Sequence, residues 1–175
     1  ALPGMPFGKN NADCLAYVLK KGEEMGFKSY NCDNYAGHLD FAADDKNAEV
    51  FGVLGHLDVV PVTEGWIAPP FGGEIIDGKI YGRGTMDDKG PAFAALFGLA
   101  AVKASGVETK RRVRLILGCD EECGMDCLHH YNEVEKAPDM CFSPDASYPL
   151  VNSEKMIYNS AYRKEYASSL RVKAG

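Results

Sequence analysis

Four short blocks carry the side chains that hydrolytic chemistry needs. They are Gly55-His56-Leu57-Asp58, Asp87-Asp88-Lys89-Gly90, Asp120-Glu121-Glu122 and Ser143-Pro144-Asp145. Together they offer one imidazole nitrogen, several carboxylates and one carboxylate to spare. That donor set suits a two-metal hydrolytic centre, in which nitrogen and oxygen hold the cations and a free carboxylate moves protons. His56 and Asp58 are two apart, so on an extended chain they lie on the same side. Asp58 can then accept a hydrogen bond from one ring nitrogen and leave the other for a metal.

Each block alone has a plainer reading. His56 would be an incidental loop histidine beside a helix-capping Asp58. Asp87-Asp88 suits a solvated turn or an N-cap. Glu121-Glu122 suits an exposed helix start favoured by the dipole, and Asp145 after Pro144 a turn. Position separates the combination from these readings, because every block falls at a predicted strand end or in a Gly-rich loop that opens a helix.

The surrounding pattern supplies those elements. Residues 10–25 place Leu15, Val18, Leu19 and Met25 on one helical face, with Gly26 as a stop. Residues 27–32 and 37–42 read as short strands joined by an Asn-rich turn. Residues 50–54 form a buried strand running into His56. Residues 74–81 hold Asp77-Gly78 between apolar flanks, a hairpin signal. Residues 91–105 read as a buried helix ending before Gly106. Residues 111–118 read as a strand, 124–135 as a helix and 139–142 as a strand. Alternating strands and helices imply an α/β fold, a three-layer arrangement with a mostly parallel central sheet and helices on both faces. In such sheets ligands gather at the carboxyl ends of the strands, so all four blocks are expected on one rim.

Composition narrows the classes. The chain has 175 residues, 46% of them hydrophobic, enough for a sizeable core. A formal net charge of -6 argues against a nucleic-acid surface. The longest apolar stretch, near residues 91–102, is too short and too interrupted to span a membrane. The six cysteines are irregularly spaced and read as free thiols of a cytoplasmic protein. Cys123 and Cys127 have i, i+4 spacing, which is compatible with one helix face.

The blocks resemble the signatures of the co-catalytic dizinc metallopeptidases, a family that includes aminoacylase, carboxypeptidase G and the ArgE and DapE deacylases. Gly-His-Leu-Asp-Val-Val-Pro at 55–61 resembles its first signature and Tyr-Gly-Arg-Gly-Thr-Met-Asp-Asp-Lys-Gly-Pro at 81–91 its second. Asp120-Glu121-Glu122 followed by Gly124 resembles the third, and Phe-Ser-Pro-Asp-Ala at 142–146 is typical of PepV-like dipeptidases. The similarity runs from Met5 to Lys155.

The resemblance implies the roles. His56 and Asp145 would bind one metal, Glu122 the other, and Asp87 would bridge them. Glu121 would be the general base and Asp58 the partner of His56. Two divalent ions are implied, Zn2+ first, with Mn2+ or Co2+ also suited to so many carboxylates. The reaction would be hydrolysis of a dipeptide or small peptide; the alternatives are N-acyl-amino-acid deacylation and a metal-binding fragment inactive by itself. A cis Asp87–Asp88 bond is also implied. It would bring neighbouring Cα atoms to about 2.9 Å and let Asp87 face the metals as the helix begins.

The family supplies a further histidine ligand late in its chain and a lid domain. Here the histidines are His38, His56, His129 and His130. His38 reads as a strand residue, and His129 and His130 as a helix-surface pair. Residues 1–155 are therefore read as an incomplete metal-binding catalytic domain and 156–175 as a linker or the start of a lid. Such a piece is expected to bind metal poorly and turn over little. Trp66, Pro69, Pro70 and Phe71 are read either as pocket lining or as packing.

Overall fold

The computed structural model describes residues 2–41 and 47–146. The expected linker or lid start at 156–175 lies outside the described residues. The elements run α1 (Lys9–Glu24), β1 (Lys28–Cys32), β2 (Ala36–Phe41), β3 (Val50–His56), β4 (Glu74–Ile76), β5 (Lys79–Tyr81), α2 (Lys89–Ala104), β6 (Arg112–Gly118), α3 (Asp126–Val134) and β7 (Met140–Phe142).

The central sheet has the order β1-β2-β6-β3-β7. β3 pairs in parallel with β6 and β7, while β2 pairs antiparallel with β1 and β6. Four of the five strands therefore point the same way, and β2 alone is reversed. β4 and β5 form a separate hairpin whose turn residues Asp77 and Gly78 have φ of 49° and 74°. Two successive positive φ values are what a tight two-residue hairpin turn requires, and Asp-Gly tolerates them.

Side-chain alternation along β3 and β6 assigns the layers. Val53, Leu115 and Leu117 join one core with Leu15, Val18 and Leu19 of α1 and Ala92, Leu96 and Leu99 of α2. Leu54 and Ile116 face the other way, against Leu128 and Tyr131 of α3. Each fully buried Leu or Val side chain, such as Leu15, Val18, Leu96, Leu115 and Leu117, contributes about 1.5–3 kcal/mol. The chain leaves β3, crosses through α2 to β6, then returns through α3 to β7 on the far side of β3. The two crossovers open a crevice at the carboxyl ends of β3, β6 and β7.

The second face also buries charge. Arg114 of β6 makes a two-pronged bond to Asp40 (2.7 and 2.9 Å) and a third to Glu135 (2.9 Å). Its Nη1 also donates to the Tyr131 hydroxyl at 3.2 Å, and that hydroxyl lies 2.7 Å from His38 Nδ1. Such charges are tolerated below a helix because each is paired and hydrogen-bonded.

All six cysteines are free. Cys123 lies in the turn before α3 rather than on it, because the helix begins only at Asp126. Among the described residues, no helix is long and apolar enough to cross a membrane.

Candidate metal centre

β3 delivers His56 as its last residue. The imidazole is 2% exposed, so backbone packing fixes its direction. Its Nδ1 lies 3.1 Å from the backbone carbonyl of Asp58 and 3.4 Å from the Asp58 carboxylate. A proton on Nδ1 points Nε2 into the crevice as a lone-pair donor. There Nε2 meets Asp87 Oδ1 at 3.0 Å, Asp145 Oδ2 at 3.4 Å and Glu121 Oε2 at 3.9 Å.

Asp87 comes from the turn before α2. The Asp87–Asp88 peptide bond is cis, as expected from the resemblance. Asp88 occupies the N-cap position before α2, but its side chain does not cap the helix. The buried carboxylate instead accepts the His56 backbone N–H at 2.9 Å. Burial pushes this carboxyl up to about 6. Asp88 thus ties the end of β3 to the turn that presents Asp87. Two glycines make room for that tie. A Cβ on Gly55 would lie 2.8 Å from Asp88 Oδ2, and one on Gly90 only 2.0 Å from the Thr85 carbonyl.

The turn after β6 brings Glu121 and Glu122. Asp58 holds it: the Glu121 N–H donates to Asp58 Oδ1 and the Glu122 N–H to Oδ2, both at 3.1 Å. Burial alone would raise the Asp58 carboxyl, but these bonds and His56 keep it below its ordinary value. The sequence pointed to Asp58 as the partner of His56, and the structure adds that it anchors the glutamate turn. Asp145 arrives from the loop after β7, where its N–H is fixed by the Ser143 hydroxyl at 3.2 Å.

The expected donors therefore converge. His56, Asp87 and Asp145 present ligand atoms within 4.8 Å of one another, and so do His56, Glu121 and Glu122. Glu121 and Glu122 share the second cluster, so distance does not separate a ligand from a base between them. One nitrogen ringed by carboxylate oxygens fits divalent cations of the zinc or manganese type. The same ring works on His56: burial opposes its charging, but the Asp58 carboxylate, with Asp88 and Glu121, outweighs that and lifts its pKa to about 9. Glu121 is shifted up, chiefly by burial.

A cavity of about 230 Å³ adjoins the cluster, lined by His56, Glu121 and Asp145 and by apolar Leu54, Met125 and Leu128. Trp66 and Phe71 are not part of that lining. The Arg83 guanidinium lies 5.3 Å from the Trp66 ring centroid, and Phe71 is exposed. Asp88 was the functional residue that sequence reasoning left as a capping group. The only signal for it was the Asp-Asp pair itself.

Comparison with known proteins places the chain in a family. Residues 52–158 match the model of peptidase family M20/M25/M40. The putative dipeptidase YtjP of Bacillus subtilis (strain 168) is 43% identical over 159 residues, covering 91% of this chain and 34% of that protein. The Beta-Ala-Xaa dipeptidase of Lactobacillus delbrueckii subsp. lactis is 42% identical over 154 residues, covering 87% of this chain and 32% of that protein. The chain thus spans about a third of the length of these relatives. The M20 family metallo-carboxypeptidase Sso-CP2 from Sulfolobus solfataricus shares the fold with a TM-score of 0.65 at 23% identity, covering 78% of this chain and 33% of that one. With its signature blocks inside the matched segment, this chain belongs to peptidase family M20/M25/M40.

Proposed function

We propose that the protein is a metal-dependent dipeptidase, hydrolysing the peptide bond of a dipeptide or small peptide. The observation that carries this reading is the convergence of His56, Asp87, Glu121, Glu122 and Asp145 beside a partly apolar cavity. Divalent ions go with the family, and the donor set fits them. His56 and Asp145 would hold one ion, Glu122 the other, and Asp87 would serve both. Two Zn2+ ions suit this set best, and Mn2+ or Co2+ also fit. When bound, such ions polarise a carbonyl and acidify water.

The chain's own groups do the rest. Glu121 is the carboxylate left over from ligation. Its Oε2 takes a proton from the attacking water and returns it to the leaving amine nitrogen. Asp58 is a positioning residue that sets both the His56 ring and the Glu121-Glu122 turn. Leu54, Met125 and Leu128 give the substrate an apolar wall. The Phe-Ser-Pro-Asp-Ala block and the two dipeptidase relatives favour dipeptides over N-acyl amino acids. The free cysteines support a cytoplasmic setting.

The test is hydrolysis of dipeptides and N-acyl amino acids by the purified enzyme, with and without chelator. Dipeptides should be cleaved faster, with loss on chelation and recovery on adding Zn2+, Mn2+ or Co2+. Faster cleavage of N-acyl amino acids would make the enzyme a deacylase. Chelator-insensitive hydrolysis would overturn the metal reading.

A further inference from the structure

A second group of donors stands apart from the centre at His56. We propose that Cys32, Asp33 and His130 form a separate binding site for a thiophilic divalent ion of the zinc class, built between the β1–β2 turn and α3. The Cys32 sulfur, an Asp33 carboxylate oxygen and a His130 ring nitrogen lie within 4.8 Å of one another. His130 Nε2 is 3.0 Å from Asp33 Oδ2. One thiolate, one imidazole and one carboxylate make a three-donor zinc set, with water completing the tetrahedron. As the sulfur–metal bond forms, the Cys32 S–H gives its proton to solvent.

The donors are held in place from several sides. The His130 ring lies against Tyr35, with centroids 4.1 Å apart and planes 30° apart. The turn is pinned by Tyr35 N–H to the Cys32 carbonyl (2.9 Å) and by paired Asn31 and Asn34 side-chain bonds of 2.9 Å. Asn34 also donates to the Gly4 carbonyl at 2.8 Å. Asp33 and Asn34 take the positive φ values, 51° and 60°, that turn the Asp33 carboxylate toward α3. Cys32 is buried at the end of β1 beside Tyr131, which leaves its sulfur little freedom.

The site shares a rim with the first centre. Ala36 of β2 pairs with Gly118 of β6, which pairs with His56 of β3. Cys32 of β1 pairs with Ala36 in turn, so three strand spacings place it roughly 14 Å from His56 across the sheet. Its chemistry differs, because the His56 cluster contains no sulfur donor. A bound ion would staple the β1–β2 turn to α3. The start of α3 is already tied to the glutamate turn by Asp126 N–H to Asp120 Oδ2 (3.3 Å).

Cobalt(II) separates the two sites spectroscopically, since only a thiolate ligand gives a near-ultraviolet sulfur-to-cobalt charge-transfer band. The purified protein, titrated with Co2+ alone to saturation, should develop that band. Cys32→Ser should lose it while keeping the visible bands of the carboxylate centre. His130→Gln alters an accessible helix position and guards against misfolding of the first variant. It should weaken the affinity read from the band by at least the roughly tenfold that loss of even an outer-shell partner costs. Absence of the band in the unaltered protein at saturation, or its persistence in Cys32→Ser, would overturn the proposal.

Discussion

Lowering the pH from 7 to 5 should destabilise this fold by about 2 kcal/mol through His38 alone. His38 is buried on β2, and burial, followed by the Arg114 charge, lowers its pKa from 6.5 to about 4. Asp40 on its own strand and Glu135 just past the end of α3 pull the other way without prevailing, and Arg112 on β6 adds repulsion. Tyr30 of β1 covers one side with ring centroids 5.1 Å apart, and Tyr131 of α3 closes the other. The hydrogen bonds agree with a neutral ring. Arg114 donates to the Tyr131 oxygen, so the Tyr131 hydroxyl proton goes to His38 Nδ1, which must be unprotonated to accept it. The folded pKa lies below the unfolded one, so the unfolded chain takes up the proton first as pH falls. The stability is complete above pH 6.5 and is lost as pH falls towards 4. At about 1.4 kcal/mol per unit the full difference is roughly 3 kcal/mol, of which about 2 is gone by pH 5. His38→Asn keeps an acceptor for Tyr131 but cannot titrate. Urea melts of both proteins at pH 7, 6 and 5 isolate the difference, since all other ionisable groups are common to the two. The variant should lose about 2 kcal/mol less than the parent between pH 7 and 5. Parallel losses in the two proteins would refute the argument.

Glu121→Gln should lower kcat by at least about a hundredfold while metal content stays unchanged, as steady-state kinetics and metal analysis will show. A variant depleted of metal would instead make Glu121 a ligand. Asp87→Ala should reduce occupancy at both metal positions, whereas Glu122→Ala should reduce one; equal stoichiometry in the two variants would remove the sharing role from Asp87. Gly90→Ala should cost about 2 kcal/mol or more, because its Cβ would sit 2.0 Å from the Thr85 carbonyl and the Asp87 turn would have to shift. An unchanged denaturant midpoint would contradict that packing.

Much of the centre is local in sequence and was legible for that reason. The apolar run of β3 ends on His56, Asp77-Gly78 encodes its own turn, and Glu121-Glu122 follow directly on the apolar end of β6. What the sequence hid depends on distant partners. Arg112 and Arg114 alternate as a solvated strand face would, yet Arg114 is buried, because Asp40 and Glu135 arrive from other elements to neutralise it. Asp88 reads as a helix cap, but its carboxylate accepts the His56 N–H, which comes from a strand distant in sequence. His130 reads as a surface residue, and only the fold sets it against Tyr35 and Asp33. Cys123 and Cys127 share helical spacing, but Gly124 and the left-handed Met125 delay the helix until Asp126.

The proposed function requires His56, Asp87, Glu122 and Asp145 to hold two metal ions. Anomalous diffraction at the zinc edge, from crystals of the protein grown with Zn2+, decides the point. Two peaks are expected with Asp87 between them, one also touching His56 and Asp145 and the other touching Glu122. A single peak, or two peaks that leave Asp87 uncoordinated, would contradict it.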